Sequence, residues 1–443
     1  MISKEAFLVE STVSAEDLRK KILPYREQER IRNEWLVERF ETVLPRIMRR
    51  CGIDLWVVAC NEYNEDPVFC SMVPAAMITA RRTAILAFHL NEEGKIRRMA
   101  LTRPNIGLDD YYELMWTNQK GSAWQDPNAP YPPETQFECL ARIIRELDPK
   151  SIGFNMSENF AFGDGLTHTL YRKMVEAMDE KYVERIVSAE NLCVGWLETR
   201  TEREMAAYTG IMQIAHAMID EAFSSRVVTP GITTNADVKY FMMQKVIDLG
   251  LVPWFDFSVS ITREKVGTLR GEHVIMPGDI LHCDVGLKYL GLCTDTQENA
   301  YVLKLGETDA PQYLKDALRQ TNRFQEIVCS NYKEGRSGNE ILKLSLEQAF
   351  AEGLKPSLYT HPIGYHGHGA GPTIGLTDMQ GGVPGRGDYL LYNDTAYSLE
   401  LNCTVDVKEW ETSFRMCLET DVLFTNDEVY YLAGRQENFH LIK

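Results

Sequence analysis

Apolar and polar positions along the chain sort into two halves of different character. Residues 14 to 50 read as helix, with SAEDLRKKI opening on an N-cap at Ser14. Then GIDLWVVAC, RRTAILAFHL and IRRMALT cluster or alternate their apolar residues as strands do. The stretch GSAWQDPNAPYPPE, residues 121–134, is polar and rich in proline and reads as a long loop. Beyond it the pattern predicts a helix around 135–147, a strand at SIGFN and a helix around 165–180. This alternation predicts an α/β domain over residues 1–190.

From residue 191 the pattern changes. TRTEREMAAYTGIMQIAHAMIDEAFSS spaces its apolar residues as a helix does from about 201 to 225, and NADVKYFMMQKVIDLG predicts a helix from Asn235 to a C-capping Gly250. Two more helices are expected at about 310–333 and 338–353, the second opened by Ser337 and Glu340 at capping-box spacing. YSLELNCTVDV and FRMCLETDVLF supply apolar strands near the C-terminus. Helices flanking a mostly antiparallel sheet make residues 191–443 an α+β domain. A chain of 443 residues exceeds one ordinary core, which agrees with two domains.

Within the second half, LHCDVGLKYLGLCTDTQENAYVL, residues 281–303, reads as a hairpin carrying Asp284 and Asp295 in otherwise apolar strands. With the turn centred on Tyr289 and Leu290, the two aspartates face each other, with Cβ atoms about 4.5–5.5 Å apart, where like charges destabilise. An edge hairpin with both aspartates in water competes with a charge-compensated pair. HPIGYHGHGAGP, residues 361–372, gathers three of the nine histidines among glycines, and imidazole is the commonest borderline metal ligand. Glu400 in YSLELN and Glu419 in RMCLETDVLF lie inside apolar strands, and buried carboxylates are rare unless paired or bound to a cation. Two aspartates, one histidine and two glutamates form a donor set able to hold two divalent ions, as in sites with metals about 3.5–4 Å apart.

Composition narrows the partners. A formal charge of -17 argues against a nucleic-acid or anionic-membrane surface, and no apolar run approaches the roughly 20 residues of a membrane-spanning helix. The first residues lack the apolar core of a secretory signal, so a cytoplasmic protein is expected. Ten cysteines without a CxxC pair read as free thiols, mostly small core residues. Cys283, Cys293, Cys403 and Cys417 each fall near a candidate ligand, and packing outweighs zinc recruitment as their role.

The order of these motifs (two aspartates eleven positions apart, His-x-x-Gly, then two glutamates) resembles the pita-bread metallohydrolases, which include aminopeptidase P, prolidase, methionine aminopeptidase and creatinase. CDVGLKYLGLCTDTQ, HPIGYHGHGAGP, SLELN and CLETDVLF carry the resemblance over residues 190–443. The first 190 residues resemble the creatinase-type N-terminal domain more weakly. The resemblance implies a pita-bread catalytic domain with two divalent ions, manganese first and cobalt or zinc as alternatives. It implies Asp284, Asp295, His361, Glu400 and Glu419 as ligands, Asp295 and Glu419 bridging both ions. Glu400 would also be the general base toward a metal-bridging water, and His368 would contact substrate and steady the tetrahedral intermediate. His366 and Arg415 are expected near substrate, with a structural role for His366 equally open.

The implied activity is removal of an N-terminal residue next to proline from a short peptide, by a cytoplasmic homodimer. Departures keep alternatives open. Gly267 stands where peptidase members carry a pocket histidine, Thr296, Gln297 and Glu298 replace a threonine-arginine-threonine run, and Arg415 lies four residues before Glu419 rather than two. A creatinase-like hydrolase or lyase acting on a small non-peptide C–N compound is the second reading, and a non-catalytic binding module the third.

Overall fold

The computed structural model describes residues 17–103, 107–121 and 128–443, so the expected N-cap at Ser14 and the middle of the 121–134 loop lie outside the described residues. Two compact units emerge: Tyr25–Leu197, and Glu198–Lys443 together with the described residues up to Pro24. The sequence pattern put the division at 190.

The helix expected over 14–50 is interrupted. A short turn spans Leu18–Lys21, Ile22 is extended, and α1 runs Tyr25–Cys51. Pro24 explains the break, because the ring clashes with a helical residue before it and pushes that residue to extended backbone.

In the first unit, six strands form one mixed sheet in the order β4-β3-β2-β1-β5-β6. These are β1 (Leu55–Asn61), β2 (Thr83–Leu90), β3 (Ile96–Leu101), β4 (Glu113–Leu114), β5 (Ile152–Phe154) and β6 (Ile186–Ser188). β1 pairs antiparallel with β2 and parallel with β5. Helices α2 (Gln136–Leu147) and α3 (His168–Ala177) cover one face, burying Ile143, Ile144 and Met174 against Val57, Ile85 and Phe154. Thr135 and Glu138 close a capping box at the start of α2.

The second unit is built on mostly antiparallel sheets flanked by helices. Strands β8 (Ser258–Arg263), β9 (Gly267–Thr268), β10 (Ile280–Val285), β13 (Thr296–Val302) and β21 (His440–Ile442) form a five-stranded sheet in the order β21-β13-β10-β8-β9. A small sheet joins β7 (Val252–Pro253), β11 (Leu287–Tyr289) and β12 (Leu292–Cys293). Strands β14 (Pro356–Leu358), β17 (Leu401–Val407) and β18 (Thr412–Leu418) form a third sheet. A fourth has the order β15-β16-β19-β20, from β15 (His361–Ile363), β16 (Thr395–Ser398), β19 (Asp421–Thr425) and β20 (Glu428–Tyr431).

Helices α4 (Glu202–Ala222), α5 (Asn235–Asp248), α6 (Gln312–Asn331) and α7 (Gly338–Ala351) complete the unit. The capping box of Ser337 and Glu340 is present at α7, and Gly250 takes a positive φ of 74° just past α5. Leu314, Leu318 and Phe324 of α6 and Ile341 of α7 pack on Leu401, Val405, Met416 and Leu418. That apolar layer covers one face of β17 and β18. Among the described residues no helix is long and apolar enough to cross a membrane.

Two details of register differ from expectation. The hairpin turns on Leu290 and Gly291, both at positive φ, with Lys288 opposite Cys293 and Tyr289 opposite Leu292. Asp284 therefore faces Gln297, not Asp295. Centring the turn one residue earlier misplaces the pair, because two residues at positive φ make the turn that matches strand twist, and Leu290 is an unusual residue to carry it. Glu400 and Glu419 also lie between strands rather than within them: β16 stops at Ser398 before β17 begins at Leu401, and β18 stops at Leu418 before β19 begins at Asp421. At each break the chain leaves one sheet and enters another. Asp295 occupies a similar gap, between β12 and β13.

Candidate metal centre

These sheet changes bring remote side chains to one place. The third-to-fourth sheet crossings deliver Glu400 and Glu419, the hairpin delivers Asp284 and Asp295, and β15 opens with His361. Three sets of donors have atoms mutually within 4.8 Å: Asp284, Asp295 and Glu419; His361, Glu400 and Glu419; Asp295, His361 and His368. The Nε2 atom of His361 stands 3.6 Å from Asp295 Oδ2, 3.7 Å from Glu419 Oε1 and 4.0 Å from Glu400 Oε2.

The cluster is buried, with Asp295 4%, Glu419 3% and His361 8% exposed. Burial, followed by the charge of Glu419, pushes Asp284 up to about 8. Burial, then Glu419 and Asp284, pushes Glu400 up to about 10, and the same two causes with Glu400 and Asp421 hold Asp295 well above the usual carboxylate range. So many carboxylates ionise together in a desolvated pocket only if positive charge compensates them. The polar atoms say the same. Asp284 Oδ1, Asp295 Oδ1, Glu419 Oε2 and His361 Nε2 are buried with no hydrogen-bond partner. An unsatisfied buried acceptor costs about 1–3 kcal/mol, more when charged. Four converging on one pocket fit a cation.

Local structure prepares each donor. The His361 Nδ1 atom lies 3.0 Å from the Pro362 carbonyl and donates to it, leaving the Nε2 lone pair for the cluster. Ser398 donates to Glu419 Oε1 at 2.6 Å. The Asp295 backbone N–H donates to Asp421 Oδ2 at 3.3 Å. Asp421 is itself fully buried, and burial followed by Glu419 holds its carboxyl well above the usual range.

The histidine loop is pinned to the hairpin. Cys293 N–H donates to the Gly364 carbonyl at 2.7 Å, and Lys288 Nζ donates to the Tyr365 carbonyl at 2.9 Å. Tyr365 in turn donates its hydroxyl to Glu204 at the start of α4, at 3.0 Å.

The other candidates fall around this cluster. The rings of His368 and His361 meet edge-on with centroids 4.8 Å apart, and His368 reaches solvent. His366 belongs to none of the three donor sets, and burial with the charges of Lys288 and Arg200 lowers its imidazole to about 4. Arg415 is exposed on β18 opposite Thr404 and acts electrostatically on Cys417 and His282. Gly267 opens a two-residue strand at positive φ. Burial raises the thiols of Cys293 and Cys417 to about 11 and that of Cys403 to about 12, and holds that of Cys283 well above its ordinary value, so these are protonated packing residues near neutral pH.

Sequence reasoning passed over several residues that touch the cluster. Ser398 and Asp421 are two. Trp254 is a third: its indole meets His368 edge-on and donates Nε1–H to the Thr294 carbonyl at 2.7 Å. Gln297 touches Glu400 and His282 touches Gln297, and strand alternation from Asp284 with the correct register would have put both on the same face as Asp284.

Residues 207–426 match the metallopeptidase family M24. Solved structures with the same fold include an X-Pro aminopeptidase from Thermotoga maritima, 16% identical with a TM-score of 0.61, covering 89% of this chain and 99% of that one. An Xaa-Pro dipeptidase from Bacillus anthracis is 18% identical with a TM-score of 0.59, covering 92% and 100%. A zinc-substituted Escherichia coli aminopeptidase P in complex with product is 13% identical with a TM-score of 0.55, covering 93% and 95%. No curated protein gives a significant match to the sequence.

Proposed function

Because the chain belongs through residues 207–426 to metallopeptidase family M24, and is a metallohydrolase of pita-bread fold, we propose that it is a dinuclear peptidase cleaving the bond between an N-terminal residue and proline. The observation that carries this reading is the convergence of four orphaned buried donor atoms, from Asp284, Asp295, His361 and Glu419, beside the carboxylate of Glu400. The sets Asp284, Asp295, Glu419 and His361, Glu400, Glu419 overlap, which supports two neighbouring cations rather than one. Asp295 and Glu419 would be shared, Asp284 would serve one ion, and His361 with Glu400 the other. Bound there, two divalent ions supply Lewis acidity and lower the proton affinity of water so that a nucleophile exists at neutral pH.

The chain's own groups do the rest. Glu400 accepts the proton of the attacking water on whichever carboxylate oxygen does not hold an ion and passes it to the departing amine. His368, at the solvent side of the cluster, donates to the carbonyl oxygen as negative charge builds on it. Trp254 and Phe255, with centroids 4.4 Å apart, supply an aromatic wall beside His368 that suits a pyrrolidine ring. Two solved relatives are named for action on Xaa-Pro peptides, which supports the same preference.

Purified protein supplied with manganese, cobalt or zinc is expected to release the first residue from Xaa-Pro peptides. Inactivity across a peptide library, with elemental analysis showing two ions per chain, overturns the peptidase reading. One observation favours a second reading: with Gly267 where peptidase members place a histidine, the pocket differs. Turnover of small guanidino or amide compounds that survives exhaustive chelation would select the creatinase-like alternative. Manganese as the resident metal and a homodimeric assembly belong to the same proposal, and elemental analysis with analytical ultracentrifugation tests them.

A further inference from the structure

Gln297 stands at one of the positions where this chain departs from the threonine-arginine-threonine run, so the resemblance does not account for what it touches. It touches three of the acidic residues of the centre. Its backbone exchanges both hydrogen bonds with Glu419, N–H to O at 3.2 Å and the reciprocal at 3.3 Å. In the β10–β13 ladder it lies directly opposite Asp284. Its amide Nε2 donates to Glu400 Oε1 at 2.5 Å, and its amide oxygen lies 2.8 Å from the Nε2 of His282.

The direction of these contacts follows from chemistry. An ionised carboxylate only accepts, so the amide nitrogen must face Glu400 and the amide oxygen His282, which places the His282 proton on Nε2. The Gln297 side chain is buried, and both ends of its amide are engaged. Glu400 is meanwhile clamped through its backbone carbonyl, which accepts from Tyr359 N–H at 3.2 Å and Thr360 Oγ1 at 3.1 Å. With the main chain held from one side and Oε1 from the other, Oε2 is the oxygen turned toward His361 Nε2, 4.0 Å away.

We propose that Gln297, braced by His282, is the positioning residue of Glu400, withholding Oε1 from the metal so that Glu400 engages through Oε2 alone. The inference rests on Glu400 being both ligand and base. A carboxylate on a flexible stem beside a divalent ion can swing to grip with both oxygens, and none is then left to receive a proton. A neutral N–H donor fixed on Oε1 blocks that swing without adding charge. The middle place of the threonine-arginine-threonine run is an arginine, whose donors carry a positive charge, so a neutral amide here belongs to this chain.

Outer-shell partners of metal ligands change metal affinity or activity by about 10–100-fold when removed. Gln297→Leu keeps the volume and removes the amide. Titrating Mn2+ into chelator-treated Gln297→Leu by calorimetry should show one of the two sites tightened by about 10–100-fold, as the released carboxylate grips with both oxygens. On an Xaa-Pro peptide the variant should lose kcat by a similar factor while KM stays nearly constant. His282→Leu should shift both quantities in the same direction by less. His282→Gln, which returns an N–H to the place of Nε2, should reverse most of that shift, a rescue that packing alone does not produce.

Wild-type Mn2+ affinity and kcat in a folded Gln297→Leu overturn the proposal. If that variant does not fold, unchanged Mn2+ affinity in His282→Leu overturns it equally. Glu400→Gln separates the two levels: if it keeps both ions and full rate, the reading of Glu400 falls and this inference with it. A damaged Glu400→Gln beside an unaffected Gln297→Leu removes the positioning role alone.

Discussion

The indole of Trp254 meets the imidazole of His368 edge-on, with ring centroids 5.2 Å apart and planes at 79°. Two glycines make room for it. A Cβ on Gly367 would lie 2.3 Å from the Trp254 ring, and one on Gly286 would lie 2.1 Å from its Nε1. The ring is thus wedged between hairpin and histidine loop, and it orients the one histidine of the cluster that reaches solvent. Trp254→Leu should leave the metal content unchanged while lowering kcat about tenfold or more, a loss of at least ~1.4 kcal/mol of transition-state stabilisation. Gly367→Ala should act in the same direction. Elemental analysis paired with steady-state kinetics checks both.

His368→Ala should retain two ions per chain and lose about 100–1000-fold in kcat, the usual cost of removing one donor to a developing oxyanion. Asp295→Ala should behave oppositely, losing metal and turnover together, because Asp295 sits in two of the three donor sets. Retention of two ions by Asp295→Ala would refute the assignment of ligands.

Chelation should expose a pH-dependent instability. Without compensating charge, Asp284 holds its proton to about 8 and Glu400 to about 10, whereas the unfolded chain releases both near the ordinary value of about 4. These groups bind more protons in the native state than in the unfolded state. Their contribution to stability is therefore fully present below the unfolded value and lost as pH rises through the folded values. The Tm of metal-free protein should fall from about pH 5 to about pH 9, and added Mn2+ should raise it most at the alkaline end. Scanning calorimetry with and without chelator measures the gap.

A second network on the far side of β13 has the opposite charge logic. Burial alone would raise Glu298, but His216 and His440 hold it well below the usual range. Burial alone would lower His440, but hydrogen bonds to Asp220 and Glu298 push it up to about 9, with its Nε2 2.5 Å from Glu298 Oε2 and its Nδ1 3.5 Å from Asp220 Oδ1. His440 therefore stabilises the fold fully below about pH 6.5 and loses that contribution as pH rises through about 9. Since His440 lies in β21, which pairs with β13, the C-terminal strand should loosen first. Protection of the Leu441 and Ile442 amides from exchange, relative to the unfolded chain at the same pH, should fall in wild type between about pH 7 and pH 10 and stay flat in His440→Gln.

How much of this was legible in advance varies by kind of information. Periodicity located the helices from Asn235 and from Ser337 because an apolar stripe and a capping box are local signals. It missed the interruption before Tyr25, although Pro24 marks it. It read YSLELNCTVDV and FRMCLETDVLF as single strands, since an apolar run looks the same whether the chain stays in one sheet or moves to the next. The role of Gln297 was out of reach for the same reason: it depends on register, and a turn shifted by one residue assigns Asp284 the wrong partner.

The sequence alone determined which chemistry was possible, through the kinds of side chain present and their order along the chain, because donor identity is a property of single residues. Tertiary structure alone decided which oxygens meet, which are left unpartnered and which one Gln297 withholds. Coordination and hydrogen bonding act over a few ångströms, and Asp295 and Glu419 come that close only after the sheets have exchanged strands.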